Sequence, residues 1–294
     1  MRRVPVPPEP PSLASVRTLR ERQAALDWFA DPAHAGQSFT KPGFHAYSND
    51  DVKATLDSTF HRKCAYCESY YGATMPLDVE HYRPKAGVQL TPGSSAVTPP
   101  GYYWLASQWL NLLPSCADCN RPRGQELPDN LRATAGKANR FPVGAEARRA
   151  RRPGEEADEP RLLLHPYFDE PAKHLRFVTD LRSPRAGEVE PAPVGRKRTP
   201  SPQGQASIEV YALQRRGLVD ARLAMLKRLT MALADVEDDV DEINSAGLSP
   251  HLAERFKRHV AELKGYARPD QDYSAMCAQM IDDAARRLFG GKLP

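Results

Sequence analysis

Two CxxC pairs decide the fold of this chain: Cys64-Ala65-Tyr66-Cys67 and Cys116-Ala117-Asp118-Cys119. Each pair holds two thiolates one tight turn apart, which is the spacing that two corners of a tetrahedral zinc site require. The four cysteines together would close the coordination shell and leave no open position for water. The sequence therefore predicts a structural zinc that contributes folding energy. Buried free cysteines are the alternative interpretation.

The 48 residues between the two pairs exceed the spacing of an ordinary zinc ribbon, which indicates an inserted segment. Part of this segment, LDVEHYRPK at residues 77–85, is predicted to form a short strand that carries carboxylates, an imidazole and cations. Asn111 precedes the second pair in the sequence WLNLLPSC, and Asn120 follows that pair directly. The two pairs are therefore predicted to frame a set of chemically active side chains.

The polar groups of this segment are the types that phosphodiester hydrolysis requires. Such hydrolysis needs a base to deprotonate water and a cation to offset charge on the phosphate and the departing oxygen. His81 titrates near neutrality and is the candidate base. Glu80 and the side-chain oxygen of Asn120 are hard ligands suited to Mg²⁺ or Mn²⁺. Because neighbours in a regular strand face opposite ways, Glu80 and His81 share one site only if the strand bends, and Asp78 is the alternative ligand.

The order of these groups resembles the HNH motif of ββα-metal nucleases over about residues 64–128. The motif is Glu-His, then Asn, then Cys-x-x-Cys-Asn, behind an upstream CxxC pair. Longer stretches resemble a narrower family, the HNH nuclease subunit of Septu-type and retron-linked anti-phage defence systems (the PtuB family). These stretches are VEHYRPK at 79–85, WLNLLPSCADCNRPRG at 109–124, LLLHPYFDEPAKHLRF at 162–177 and SIEVYALQRRGLVDAR at 207–222. The resemblance covers most of residues 50–225.

The resemblance implies an α+β fold, in which a ββα-metal (HNH) nuclease module with a structural four-cysteine zinc site precedes a mainly α-helical C-terminal domain. It implies a metal-dependent endonuclease with His81 as general base and one divalent cation, Mg²⁺ or Mn²⁺, held by Glu80 and Asn120. Asn111 would bridge backbone groups and hold the loop that aims His81. The same resemblance implies an ABC/SMC-type ATPase as partner and a role in anti-phage defence.

The charge distribution favours nucleic acid as the substrate. The formal net charge is only +4, but residues 120–152 contain nine Lys or Arg against three acids. Four cations near the motif are candidates for phosphate contact, with an ordinary solvent-exposed role as the alternative for each: Arg83, Lys85, Arg121 and Arg123. DNA is the favoured substrate and tRNA the alternative, and the residues themselves leave both open, because backbone contacts and hydrolysis chemistry carry no base information.

Two other functions stay open on the sequence alone. A non-catalytic zinc-stabilised module would bind nucleic acid through the basic stretch, with His81 and Asn120 as scaffold. A stand-alone HNH restriction nuclease would cut modified DNA without any partner. Metal-dependent cutting that is lost in His81→Ala separates a nuclease from a binding module.

Length and composition indicate a folded chain of about two domains, since hydrophobic residues make up 40% and charged residues 27% of its 294 positions. Its apolar runs are too short to cross a bilayer, and the prolines near the N-terminus leave no room for a signal peptide, so a cytoplasmic location is expected. The predicted segments are a flexible proline-rich N-terminus (1–11), helices plus the zinc-framed nuclease module (12–142), a charged linker (143–160), an extension with a hairpin (161–203) and a helical domain (204–294).

Periodicity and capping residues predict the positions of the regular elements. Apolar residues at spacings of three and four from Val219 to Ile243 predict a long amphipathic helix. Ser249 is predicted to cap the next helix, and Cys277 is predicted to be a small core residue. Other predicted elements are helices at 12–30, 50–62, 250–263 and 273–289, and a hairpin formed by residues 174–180 with the residues from 188 onward.

Overall fold

The structure is a computed structural model, and it describes residues 1–37, 39, 43–73, 75–91, 94–128 and 131–293. Residues 38, 40–42, 74, 92–93 and 129–130 of the predicted segment 12–142 lie outside the described residues. Within the described ranges the strands form two-stranded antiparallel sheets, and the longest helices lie in the C-terminal part. The chain therefore has a mixed α/β fold.

The two CxxC pairs enclose a small strand-strand-helix unit. Strand β1 (Asp78–His81) pairs antiparallel with β2 (Leu112–Ser115), and Glu80 lies opposite Leu113. One helical turn, α3 (Ala117–Asn120), follows β2 immediately and contains the end of the second pair. The strand predicted in the inserted segment is thus confirmed.

Two helices precede this unit. Helix α1 (Val16–Ala30) begins after Ser15, whose hydroxyl accepts the backbone N–H of Thr18. Helix α2 (Asp50–Phe60) has two aspartates in its first turn, where the helix dipole favours negative charge. Its buried side chains are Val52, Leu56 and Phe60. The first helix starts later than predicted, because Pro11–Ala14 forms a separate 3-10 turn.

Three hairpins follow the strand-strand-helix unit. Their strands are β3 (Arg123–Glu126) with β4 (Arg132–Ala135), β5 (Leu175–Phe177) with β6 (Val189–Pro191), and β7 (Pro193–Val194) with β8 (Thr199–Pro200). The pairing of β5 with β6 confirms the predicted hairpin. Gly187 lies in its connection at a φ of +88°, and a Cβ there would lie 2.7 Å from the Val219 carbonyl oxygen, so only glycine fits.

The C-terminal region is helical, as predicted. Its helices are α4 (Pro202–Val210), α5 (Arg216–Ala246), α6 (Pro250–Gly265) and α7 (Ser274–Phe289). The Ser249 hydroxyl accepts the N–H of Leu252 and caps α6, and α7 ends where Gly290 adopts a φ of +66°. Among the described helices, none combines the length and the apolar character that crossing a membrane requires.

One continuous hydrophobic core joins these elements, and the proline-rich segment 1–11 belongs to it. This segment was predicted to be flexible, but Val4 is buried and donates its N–H to the Pro166 carbonyl at 2.9 Å. The Trp109 indole N–H donates to the Pro7 carbonyl at 3.0 Å. Proline lacks a donor, yet its carbonyl still accepts and its ring still packs, so the composition signal was misleading.

The charged stretch 143–160 was predicted to be a solvated linker, and most of it is exposed, but a few of its residues are buried against the module. Glu159 is buried, and one of its oxygens accepts from the Tyr102 hydroxyl at 2.5 Å and from the Ala150 N–H at 3.0 Å. Arg149 is also buried and donates to the Tyr102 hydroxyl. Ala150 belongs to the core and the two buried charges are paired internally, whereas most other charged residues of the stretch, such as Arg151 and Arg152, are exposed to water.

Candidate metal centre and active-site cleft

The four cysteines of the two CxxC pairs converge on one point. Their sulfur atoms all lie within 4.8 Å of one another, and the Sγ atoms of Cys67 and Cys116 are 3.8 Å apart. A tetrahedral zinc with Zn–S bonds of about 2.3 Å separates its sulfurs by about 3.8 Å. All four side chains are free thiols. The cluster can therefore hold a metal ion such as zinc.

A buried arginine lies against the cysteine sulfurs. The Arg215 side chain is 8% exposed, and its guanidinium donates to the sulfurs of Cys119 and Cys67 at 3.4 Å each. Arg222, two turns further along α5, is also buried. Four thiolates around Zn²⁺ carry a net charge of about −2, which two guanidinium groups would offset. The helical region thus supplies the counter-charge for a site on the preceding module.

Replacing Arg215 with methionine is expected to loosen the metal site. The change keeps most of the buried volume but removes the donors to two thiolates, and loss of such an outer contact lowers metal affinity by about 10–100-fold. Zinc release into a chromogenic chelator should therefore accelerate about tenfold or more. Arg216→Met is the matched control, because Arg216 is the next residue and pairs with Asp220 at the surface. Equal release rates from the two variants would contradict a stabilising role for the buried guanidinium.

A cleft of about 600 Å³ opens beside β1 and α3. Six of the side chains predicted to act at the site line it: Asp78, Glu80, His81, Lys85, Asn120 and Arg121. Glu80 and His81 both line the cleft although they are neighbours along a strand. This is compatible with strand geometry because His81 is the last residue of β1, where the regular alternation ends.

His81 is buried, and its ring is held on several sides. Its Nε2 lies 2.8 Å from the Ala106 carbonyl oxygen, and because a carbonyl only accepts, this nitrogen carries the proton. Nδ1 is then the acceptor, and the Lys85 ammonium lies 3.4 Å from it. The Tyr47 ring packs edge-on against the imidazole at a centroid distance of 4.5 Å. Burial and the nearby charge of Lys85 hold the pKa of His81 well below its usual value, so the ring is neutral near pH 7.

Asn111 bridges backbone groups with both ends of its amide, as expected. Its oxygen accepts the N–H of Arg83 at 2.8 Å, and its nitrogen donates to the carbonyls of Arg83 at 3.0 Å and Leu105 at 3.1 Å. These bonds join the chain just after β1 to the loop that contains Ala106. That loop supplies the carbonyl that fixes the His81 ring.

Glu80 forms an ion pair with a buried lysine. Its Oε1 lies 2.5 Å from the Nζ of Lys137, whose side chain is 0% exposed. The same ammonium donates to the His81 carbonyl at 2.9 Å, and the Lys137 N–H donates to the Cys119 carbonyl at 2.8 Å. Burial raises the pKa of Glu80 and lowers that of Lys137, and the charge of each residue opposes the shift of the other. Lys137 thus connects β1 to α3.

Asp78 and Asn120 meet at the other side of the cleft. The Arg121 guanidinium donates to both oxygens of Asp78, at 2.9 Å and 2.7 Å. The Asn120 amide nitrogen donates to Asp78 at 3.1 Å. Among the described hydrogen bonds, the amide oxygen of Asn120 accepts none, so it is available to a ligand.

The four cations predicted to contact phosphate divide into two groups. Lys85 and Arg121 line the cleft. Arg83 lies away from it, because its guanidinium is held by the buried carboxylate of Glu159 at 2.9 Å, and we assign it to packing. Arg123 is half-exposed, pairs with an aspartate of α3, and is not among the residues that line the cleft.

Lys137, Arg215 and Tyr47 contact the site residues but were not predicted from the sequence. Lys137 falls in the basic stretch 120–152, where lysine most often faces solvent. Arg215 falls in a stretch that carries the family resemblance, and that was the only signal for it. Tyr47 precedes α2 in a segment with no distinguishing pattern.

The fold and the site define a mixed α/β protein with a four-cysteine cluster that can hold a metal ion such as zinc. No family model matches the chain. It is 37% identical over 256 residues to the Septu protein PtuB of Bacillus mycoides (strain KBAB4), an alignment that covers 83% of this chain and 78% of that protein. The chain therefore belongs to the family of the Septu protein PtuB. It is also 27% identical over 164 residues to the Septu protein PtuA of the same strain, covering 55% of this chain but only 19% of PtuA.

Proposed function

We propose that this protein is a metal-dependent HNH endonuclease that hydrolyses nucleic-acid phosphodiesters as the effector of a Septu anti-phage defence system. Its membership of the PtuB family supports the defence role. The observation that carries the nuclease proposal is that His81, Glu80 and Asn120 line one cleft on a strand-strand-helix unit. A neutral imidazole with one fixed nitrogen, beside two oxygen ligands, is an arrangement suited to activating water.

His81 is the general base in this proposal. When Lys85 turns from Nδ1 to a phosphate, Nδ1 takes a proton from water. The water oxygen bonds to phosphorus, and the bond from phosphorus to the departing sugar oxygen breaks. That oxygen then gains a proton from solvent. The Nε2–H bond to Ala106 stabilises the imidazolium that forms and keeps Nδ1 pointed at the water. Asn111 acts as a positioning residue, because it ties down the loop that contains Ala106.

The side chains fit a divalent cation. Glu80 uses one oxygen for Lys137 and keeps the other, and the Asn120 amide oxygen accepts no described hydrogen bond. Both oxygens of Asp78 are bonded by Arg121, which favours Glu80 over Asp78 as the carboxylate ligand. When bound, Mg²⁺ or Mn²⁺ would offset charge on the phosphate and on the departing oxygen.

Lys85 and Arg121 are the proposed phosphate contacts. The Lys85 ammonium lies 4.4 Å from the centroid of the Tyr47 ring and next to Nδ1 of His81, so it would draw a phosphate to the base. The Arg121 side chain is 59% exposed, and its Nη1 can contact a second phosphate while Nε and Nη2 stay bonded to Asp78. Such contacts read the phosphate backbone and not the bases, so they serve both DNA, the favoured substrate, and tRNA, the alternative.

An ABC/SMC-type ATPase is the proposed partner. The resemblance to the PtuB family implies it, and the similarity to a part of PtuA supports a relationship with a second Septu protein. The competing functions are a stand-alone restriction nuclease and a non-catalytic nucleic-acid-binding module. One cleavage assay distinguishes both of them from the proposed function.

Purified protein is expected to cut plasmid DNA or total tRNA with Mg²⁺ or Mn²⁺, and EDTA should stop the cutting. A gel assay with each polymer, repeated with the ATPase of the same system, tests this. Cutting of modified DNA by the chain alone would favour the stand-alone nuclease. Nucleic-acid binding with no cutting in any of these conditions would contradict the proposal and support the binding module.

A further inference from the structure

The candidate metal ligand Glu80 already pairs with a cation that is fully buried. Lys137 is fully buried, and its ammonium is bonded to Glu80 at 2.5 Å and to the His81 carbonyl at 2.9 Å. Its own N–H is bonded to the Cys119 carbonyl at 2.8 Å. Arg121, which pairs with the other carboxylate of the cleft, is mostly exposed and can move into solvent. Lys137 is therefore the buried counter-ion of Glu80, held by its own hydrogen bonds to neighbouring backbone groups.

The charges around the cleft add up to a positive site. Among the described residues, the carboxylates that line the cleft are Asp78 and Glu80, and the cations that line it or bond these carboxylates are Lys53, Lys85, Arg121 and Lys137. The charge of Lys53 is offset by Asp50, with which it pairs. The other three cations against two carboxylates give a net charge of +1. A divalent cation that entered would meet this excess and would share one carboxylate with Lys137, which is unfavourable at such short distances.

We propose that Lys137 makes cation binding in this cleft depend on substrate, so that the free protein binds a divalent cation weakly and a nucleic-acid phosphate converts the site to tight binding. This inference rests on the nuclease function proposed above. A phosphodiester adds a negative charge and oxygen ligands at the point where Lys85 attracts it. By linkage, cation and nucleic acid raise each other's affinity by the same factor. Lys137 is then a positioning residue that keeps the site inactive until substrate occupies it.

Neutralising Lys137 is expected to tighten Mn²⁺ binding to the free protein. Mn²⁺ titrations followed by electron paramagnetic resonance should give about a tenfold higher affinity in Lys137→Met than in wild type. Lys137→Gln keeps a donor for the His81 carbonyl and should give the same direction, which covers the case in which the methionine variant fails to fold. Lys53→Met is the matched control, because Lys53 lines the cleft but pairs with Asp50, and its affinity should change less than about twofold.

Adding a DNA duplex tests the linkage directly. The titrations use the His81→Ala background so that the duplex stays intact, and Glu80→Gln in that background measures Mn²⁺ held by the DNA alone. With Lys137 present, the duplex should raise Mn²⁺ affinity about tenfold or more. In the two neutral variants at position 137 the gain should be smaller, because the free protein already binds Mn²⁺.

Each result decides the inference separately from the nuclease proposal. Mn²⁺ affinity that is unchanged or weaker in a folded Lys137 variant would overturn the inference, even if wild type cuts nucleic acid. Tight Mn²⁺ binding to free wild type that Glu80→Gln abolishes would overturn it as well. Tighter Mn²⁺ binding in the Lys137 variants would support it, even if the cleavage assay failed and the cation site had to serve another function.

Discussion

His81→Ala is expected to lower the rate of metal-dependent cutting by about 10²–10⁴-fold while the protein stays folded. The change removes the nitrogen that accepts the proton of the attacking water. It leaves the cysteine cluster, Glu80 and Asn120 untouched, and the cost in stability is the lost bond to Ala106 plus a small cavity, about 1–3 kcal/mol. Initial rates in the gel assay, together with thermal unfolding of both proteins, measure the two effects separately.

Two controls make the His81 result specific. His174→Ala should cut at the wild-type rate, because His174 contacts Ser201 and does not line the cleft. Imidazole added to His81→Ala should restore part of the activity, since a free base can enter the space that the side chain has left. Undiminished cutting by His81→Ala would remove this residue from the mechanism.

The predictions that the structure confirms rest on residues that lie close together in the sequence. The two CxxC pairs each place their thiols within one turn, so the convergence of four sulfurs needed only one long-range contact. The helix capped by Ser249 and the long helix from Val219 onward were predictable for the same reason, because caps and apolar stripes are encoded within a few residues. The bridging role of Asn111 came from the resemblance alone.

Long-range ion pairs were beyond a reading of one sequence. Lys137 is 57 positions from Glu80, and Arg215 is 96 positions from Cys119, so no local pattern connects them. Arg83 has the residue type and the position expected of a phosphate contact, but a carboxylate 76 positions away binds it instead. Such long-range pairs decide which cations of a site are available to substrate and which are bound by internal carboxylates. Only the folded chain shows these pairs.

Loss of one cysteine of the cluster is expected to unfold the module around the cleft. Structural zinc contributes about 10–16 kcal/mol of apparent binding free energy in small domains, which is as large as the whole stability of a typical protein, about 5–15 kcal/mol. Cys119→Ser should therefore lose zinc and cooperative thermal unfolding. The damage should reach the cleft, because Cys119 lies in α3 beside Asn120 and its carbonyl holds Lys137. Zinc per chain and Mn²⁺ binding are the two measurements.

The matched control for this prediction is Cys277→Ala, since Cys277 and Cys119 are both 0% exposed and only Cys119 belongs to the cluster. Cys277→Ala should keep about one zinc per chain and lose only packing, about 1–2 kcal/mol. Treatment of wild type with a strong chelator should reproduce the Cys119→Ser result by a route that changes no residue. If Cys119→Ser instead keeps its zinc and its unfolding midpoint, the four thiols are not the metal site, and the hydrogen bonds of Lys137 must hold α3 against β1 without help from a metal.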